Sequence, residues 1–201
     1  CYTTAFPILN CCNFKTEIED MKRGIIWIAG LLFCVQAAIA QAQPMALSKG
    51  SKAPDFTSVN QHHQAVSLNQ LLEKGPVVLV FYRGYWCPFC NRQLKQLQDS
   101  LSMLKKHNAQ VVAISPESVI YVNNTIDKTG ATYQIISDAN NSIMKRYKVA
   151  YEVDASTNNR LKNIGVDLQA VNASNDAVLP VPAVYIINQK GVIHYAFFDQ
   201  N

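Results

Sequence analysis

Charge is scarce in this chain: Asp, Glu, Lys and Arg together make up 16 % of its 201 residues, and the net charge is only +4. Its lysines and arginines are scattered, the densest cluster being "MKRY" at Met144 to Tyr147. A solvated surface accounts for them, which leaves no basic stripe for nucleic acid. Gly and Pro, at eight residues each, are too few for a low-complexity or collagen-like chain. Long apolar runs are also missing. Ile25 to Val35 is uncharged and apolar, but Gln36 interrupts it, and a bilayer needs roughly 20 such residues. No stable membrane span is therefore expected. What remains, at 49 % hydrophobic residues, is an ordinary globular composition sufficient for one well-filled domain.

The leading segment differs from the rest. Lys22 and Arg23 follow Met21, the apolar run comes next, and Ala38-Ile39-Ala40 closes it with small residues. That order is the form of a secretory signal peptide over residues 21–40, with cleavage after Ala40 or Ala42. Residues 1–20 carry Glu17, Glu19 and Asp20 where a signal's leading region is basic, so translation is expected to start at Met21. The working domain is then 41–201.

This division changes the cysteine arithmetic. Cys1, Cys11, Cys12 and Cys34 precede the cleavage sites, and the exported chain keeps only Cys87 and Cys90. Export delivers them to an oxidising compartment, where unpaired thiols do not persist without a role.

Hydrophobic patterning orders the exported chain. Short extended pieces and a helical turn at Leu68 to Leu72 precede "PVVLVFYRG" (Pro76 to Gly84), a continuous apolar run that reads as a buried strand. Leu94, Leu97, Leu101 and Leu104 then predict one amphipathic helix from Cys87 to about Lys106. Ala109 to Ser115 and Thr132 to Ser137 are further strands, separated by a helix over Ser118 to Lys128. Asp138 is placed to cap a helix over Ser142 to Tyr147. The polar stretch from Asp154 to Pro180 reads as a surface insertion, too poor in apolar residues to build its own core. Two alternating runs around "NQKG" predict a final β-hairpin turning at Gly191. Alternating strands and helices imply an α/β fold with a partly parallel central sheet flanked by helices. The cysteines sit at a strand's carboxyl end, where such folds place their chemistry.

In "WCPFC", Cys87 is positioned to cap a helix whose first residue is Pro88. Free backbone N–H groups and the helix dipole favour a thiolate there, and cysteines so placed have pKa values of roughly 3.5–7.5. Cys87 is thus the expected attacking sulfur, with Cys90 deeper in the helix and less exposed. A structural disulfide competes weakly, because so short a loop restricts the unfolded chain little. A zinc site would need partners from His62, His63, His107 and His194; the first two are adjacent in an expected turn, and no metal or cofactor is called for. Trp86 and Phe89 flank the sulfurs, either as packing or as an apolar platform for substrate. Arg83 and Arg92 are close enough in sequence to hold a thiolate, though surface arginine is the commoner case. Pro182 precedes a strand, as an edge-strand residue or as a cis proline beside the dithiol.

"GPVVLVFYRGYWCPFCNRQLKQLQ", "VVAISPES", "IISDANNSIMKRY" and "LPVPAVYIINQKGVIHYAF" together resemble the peroxiredoxin-like branch of the AhpC/TSA (alkyl hydroperoxide reductase/thiol-specific antioxidant) family, from about Ala53 to Phe198. The resemblance implies a thioredoxin-like fold and a redox-active Cys87 with Cys90 as its resolving partner. It also implies thioredoxin or a similar dithiol protein as reductant, and a cis proline at Val181-Pro182 whose preceding residue offers its backbone to a bound disulfide. The expected compartment is the bacterial periplasm. Two departures stand out. Val80 and Gly84 occupy the positions, seven and three before Cys87, where the family carries Pro and a Thr or Ser hydroxyl. The chain also stops at Asn201, directly after the hairpin, where this fold adds a last helix. The expected substrate is a hydroperoxide, hydrogen peroxide or an alkyl hydroperoxide. The alternatives are a protein disulfide handled by the same two sulfurs, or a redox-silent binding domain.

Overall fold

The strand runs pair as their patterning requires. A computed structural model describes residues 46–199; the start at Met21, the signal peptide and the cleavage sites at Ala40 and Ala42 lie outside the described residues. A small antiparallel pair, β1 (Thr57–Val59) and β2 (Ala65–Ser67), leads into helix α1 (Leu68–Lys74). Then come β3 (Val77–Phe81), α2 (Pro88–Asp99), α3 (Leu101–Lys106), β4 (Gln110–Ser115), α4 (Val119–Thr129), β5 (Gln134–Ser137) and α5 (Ser142–Arg146). The chain continues through β6 (Ala150–Glu152), α6 (Ala155–Asn163), α7 (Leu168–Val171), β7 (Val178–Pro180), β8 (Ala183–Ile187) and β9 (Ile193–Phe198). The central sheet has the order β5-β4-β3-β8-β9, parallel on the β5-β4-β3 side and antiparallel on the other.

Central strand β3 is buried on both faces, and its alternation divides the core. Val77, Leu79 and Phe81 face a cluster closed by Leu68, Leu71 and Leu72 of α1 and Ile143 and Met144 of α5. Within it Phe81, Tyr147 and Tyr185 pack ring to ring at centroid distances of 5.2, 5.4 and 6.0 Å, in tilted and edge-on arrangements that aromatic quadrupoles favour. Val78, Val80 and Tyr82 face the opposite cluster, closed by Cys90 and Leu94 of α2, Leu101 of α3 and Val122 of α4. On that face of β8 and β9, Ile186, Tyr195 and Phe197 stay exposed, and no helix follows β9 among the described residues.

Two local expectations, the single leucine-spaced helix and the cis proline, need correction, and the polar insertion gains elements of its own. The leucine-spaced helix is two helices that meet at Ser100, which ends the first and starts the second with φ of −90° and ψ of −2°, at the edge of the right-handed region. Leu94 and Leu101 are buried on either side of the break, so their periodicity runs through it and periodicity alone cannot find it. The polar insertion is structured: β6 pairs with β7, and Asp154 and Asp167 accept N–H bonds from Thr157 and Gln169 to start α6 and α7. Val166, Leu168 and Leu179 form a small core with Tyr151, Val153, Leu161 and Ala177, and Trp86 joins it from the loop before α2. No peptide bond is cis among the described residues, so Pro182 is a trans residue.

Asp138 caps as expected. Its buried carboxylate accepts the Ile143 N–H at 3.0 Å and the Met144 N–H at 2.8 Å, while Asn141 occupies the formal cap position. Asp138→Ala orphans these donors, and urea unfolding should show a loss on the order of 1–2 kcal/mol.

Candidate active site

Beyond β3, Tyr82 still donates its N–H to Ile114 before the chain leaves the sheet through Arg83-Gly84-Tyr85-Trp86. Cys87 is the N-cap of α2, in extended backbone with Pro88 following, and its Sγ accepts the Cys90 N–H at 3.3 Å. A disulfide joins Cys87 and Cys90, whose Cα atoms lie 5.3 Å apart. The expectation that Cys87 would be the outer sulfur and Cys90 the deeper one does not hold: they are 2 % and 3 % exposed. Both belong to the apolar cluster behind the sheet, and Trp86 packs against that cluster from the loop.

A cleft of about 410 Å³ reaches the pair from the Cys90 side, lined by Arg83, Phe89, Cys90, Gln93, Pro182, Phe197 and Asp199. Of the residues singled out from sequence, it brings together Arg83, Phe89, Cys90 and Pro182. Arg92 instead sets its guanidinium 5.9 Å from the centroid of the exposed Phe89 ring. Trp86 serves as packing between two clusters. Val181 is buried, and its N–H is spent on the Val149 carbonyl at 2.8 Å, so it does not offer a free donor to a bound disulfide. Gln93, Phe197 and Asp199 were not foreseen. Phe197 alternates outward on β9 toward the α2 side, which the hairpin register would have indicated.

The most consequential residue missed is Glu117. It follows β4 and is fully buried. Its carboxylate accepts the Tyr85 N–H at 2.7 Å and the hydroxyls of Ser115 and Thr125 at 3.3 and 3.4 Å. Burial pushes its pKa up to about 7, against the pull of those hydrogen bonds. Gly84 lies directly beneath this carboxylate. A Cβ there would meet Trp86 Nε1 at 2.5 Å and Glu117 Oε1 at 2.6 Å. Gly84 is therefore a close-approach glycine, and the family hydroxyl at that position has no room. The Gly84 carbonyl in turn accepts the Cys87 N–H at 3.0 Å, which ties the cap residue to the same peptide. Tyr85 is held from outside too: its carbonyl accepts from Asn91 Nδ2 and Lys128 Nζ, and its ring stacks on Tyr121.

Two outcomes follow from this packing. Gly84→Ala forces the loop off Glu117 and should cost roughly 1–3 kcal/mol in denaturant unfolding. Glu117 binds its proton more tightly folded than unfolded, so its contribution to stability is complete below the ordinary carboxyl pKa of 4.5 and is lost as pH rises through about 7. Glu117→Gln removes that dependence. The stability of the variant relative to the wild type should climb over this window by on the order of 3 kcal/mol, read from urea unfolding at a series of pH values.

The profile of the AhpC/TSA family matches residues 49–196. The chain is 28 % identical over 154 residues to the chloroplastic peroxiredoxin Q of Triticum aestivum, an alignment covering 77 % of this chain and 60 % of that protein. It thus spans about 60 % of the length of such curated relatives. It is also 24 % identical over 127 residues to the thiol-disulfide oxidoreductase ResA of Bacillus subtilis, across 63 % of this chain and 69 % of that one. Among solved structures, the peroxidoxin BcpB of Mycobacterium tuberculosis superposes with a TM-score of 0.62 at 18 % identity, over 77 % of this chain and 88 % of that chain, a shared thioredoxin-like fold. With the family's extent matched from the first strand pair to the hairpin, the chain belongs to the AhpC/TSA family.

Proposed function

We propose that this protein is a thiol peroxidase that reduces hydrogen peroxide or alkyl hydroperoxides through a Cys87/Cys90 cycle, with thioredoxin or a similar dithiol protein as reductant. The observation that carries this reading is a disulfide bridging the N-cap and first turn of α2 in an AhpC/TSA chain. In the cycle, Cys87 thiolate attacks the hydroperoxide. An S–O bond forms, the O–O bond breaks, and the alcohol or water leaves with a proton. Cys90 then displaces water from the Cys87 sulfenic acid and closes the disulfide. The cleft opens on Cys90, so the reductant's thiolate attacks that sulfur and releases Cys87, the thiolate that the start of α2 stabilises. Arg83, whose buried Nε has no hydrogen-bond partner among the described residues, lines the cleft as the available cation. Export to the bacterial periplasm belongs to the same reading, supported by the pattern of residues 21–40.

A second reading, exchange with protein disulfides, is supported by Gly84 standing where the family's hydroxyl would be and by the similarity to ResA. Stopped-flow oxidation of the reduced protein by hydrogen peroxide, an alkyl hydroperoxide and insulin, side by side, separates the two. Peroxidase chemistry requires that Cys87→Ser lose all turnover and that Cys90→Ser undergo one oxidation per molecule. Oxidation by peroxide no faster than a free thiol, with rapid exchange on insulin, would transfer the assignment to the second reading.

A further inference from the structure

The proposed cycle leaves one buried ionisable group beside the cysteines without a task. Glu117 has no ion pair among the described residues. The groups facing it are all neutral donors or phenols: the Tyr85 N–H, the hydroxyls of Ser115 on β4 and Thr125 on α4, and the phenol of Tyr82 beyond β3. Burial, and after it the Glu117 charge, pushes the Tyr82 phenol well above its ordinary range; burial, Tyr121 and then Glu117 do the same for Tyr85. Neither phenol gives up its proton to compete. Lys128 of α4 is spent on the Tyr85 carbonyl and ring. Glu117 therefore holds an uncompensated site against Gly84, one peptide from the hydrogen bond that fixes the Cys87 N–H. The Gly84–Tyr85 peptide joins the two groups, its N–H donated to Glu117 and its carbonyl accepting from Cys87, and a like charge appearing on Cys87 in the apolar cluster behind that loop is felt strongly in such a medium.

We propose that Glu117 is a positioning residue that couples proton binding to the redox state of the pair, holding a proton while Cys87 is a thiolate and releasing it when the disulfide forms. This rests on the reading that Cys87 and Cys90 cycle. During reduction by a dithiol, the Cys87–Cys90 bond breaks, the reductant's own S–S bond forms, and two electrons pass to the pair. Of the two thiol protons delivered, one ends on Cys90 and the other on the Glu117 carboxylate, leaving Cys87 as the thiolate, so that charge is conserved. Reoxidation returns the Glu117 proton. The arrangement keeps the reactive thiolate without burying an anion at each end of the Gly84–Tyr85 peptide, and its effect is felt around the pH where Glu117 titrates, about 7.

The test uses the reduced and oxidised forms of the wild type and Glu117→Gln, with circular dichroism to show that both are folded. Thiolate absorbance of the reduced protein should rise in two steps across the neutral range in the wild type, and in one step at lower pH in the variant. The equilibrium constant against a fixed dithiol couple should stay level with pH in the wild type, which takes up both thiol protons, and rise in the variant, which leaves one in solution, by up to about tenfold per pH unit for a full proton. Infrared difference spectra at neutral pH should show a protonated carboxyl band gained on reduction of the wild type. Should the variant not fold, that band decides alone: its appearance supports the coupling, and its absence overturns it. A Glu117 that serves only packing would change stability and leave the pH curves of the two proteins parallel, which overturns the inference while the cysteine cycle stands. A wild-type pair that cannot be reduced and reoxidised overturns the cycle and this coupling together.

Discussion

A carboxylate without a cation beside it stays buried only where donors converge on it, and the arrangement around Glu117 meets that requirement with the loop that carries the cysteines. The Tyr85 N–H makes the shortest of the hydrogen bonds to this carboxylate, at 2.7 Å. Because that donor belongs to the loop, satisfying Glu117 and shaping the start of α2 are one task. Gly84 is then fixed by contact, the Gly84 carbonyl is aimed at the Cys87 N–H, and Cys87 enters its cap position with Pro88 behind it. Losing any of these contacts leaves a buried donor or acceptor unpaired, so the loop has little freedom to relax separately.

Glu117 was invisible in the sequence because nothing about a single glutamate in "ISPES" relates it by spacing to "WCPFC". The relation is made by strand pairing. β3 and β4 are parallel with Phe81 opposite Ile114, so the residues three beyond each, Gly84 and Glu117, are brought to the same end of the sheet. Both strands were legible as apolar runs; their register was not, since two continuous apolar strands give no alternation to align. The hairpin was easier. Asn188 Oδ1 accepts the Lys190 and Val192 N–H groups, and Gly191 takes a φ of 73°, which is the turn chemistry its residues announce. The trans Pro182 shows the opposite case. A proline before a strand is compatible with either isomer, and only the path from β7 into β8 decides between them.

Trp86 shows what a reading by composition leaves out. Residues 154–180 hold too few apolar side chains for a core, and by themselves that remains true. Trp86 comes to them from the active-site loop and packs on Val166, Leu168 and Leu179 while also touching the cluster that contains both sulfurs. The segment is thus completed by the site, and the site is walled by the segment. Backbone contacts reinforce the join: Ser118 N–H bonds Val171, and Ala173 N–H bonds Pro116, on either side of Glu117. This is also why Cys87 is buried. A cap residue on an isolated helix would be open to water, but here its loop is pressed between two clusters.

The burial of both sulfurs and the position of the cleft bear on the order of events. A hydroperoxide is small, whereas a protein thiol brings a backbone with it, and the groove between Phe89, Pro182 and Phe197 opens on Cys90, the sulfur that a protein reductant meets in the proposed cycle. Cys87 keeps the helix start and loses the hydroxyl that would share the charge of an incoming peroxide, because Glu117 and Trp86 fill the space above Gly84. In the proposed cycle, stabilisation of the attacking sulfur then falls to the α2 N-terminus and to Arg83 of the cleft lining. A helix start favours an anion at the sulfur wherever the second reactant comes from, while an oxyanion array favours one substrate's transition state. A site built on the first device and lacking part of the second keeps a reactive thiol and gives up some discrimination between an O–O and an S–S bond. The chain is similar in sequence to a relative named for each of these two chemistries, peroxiredoxin Q and ResA.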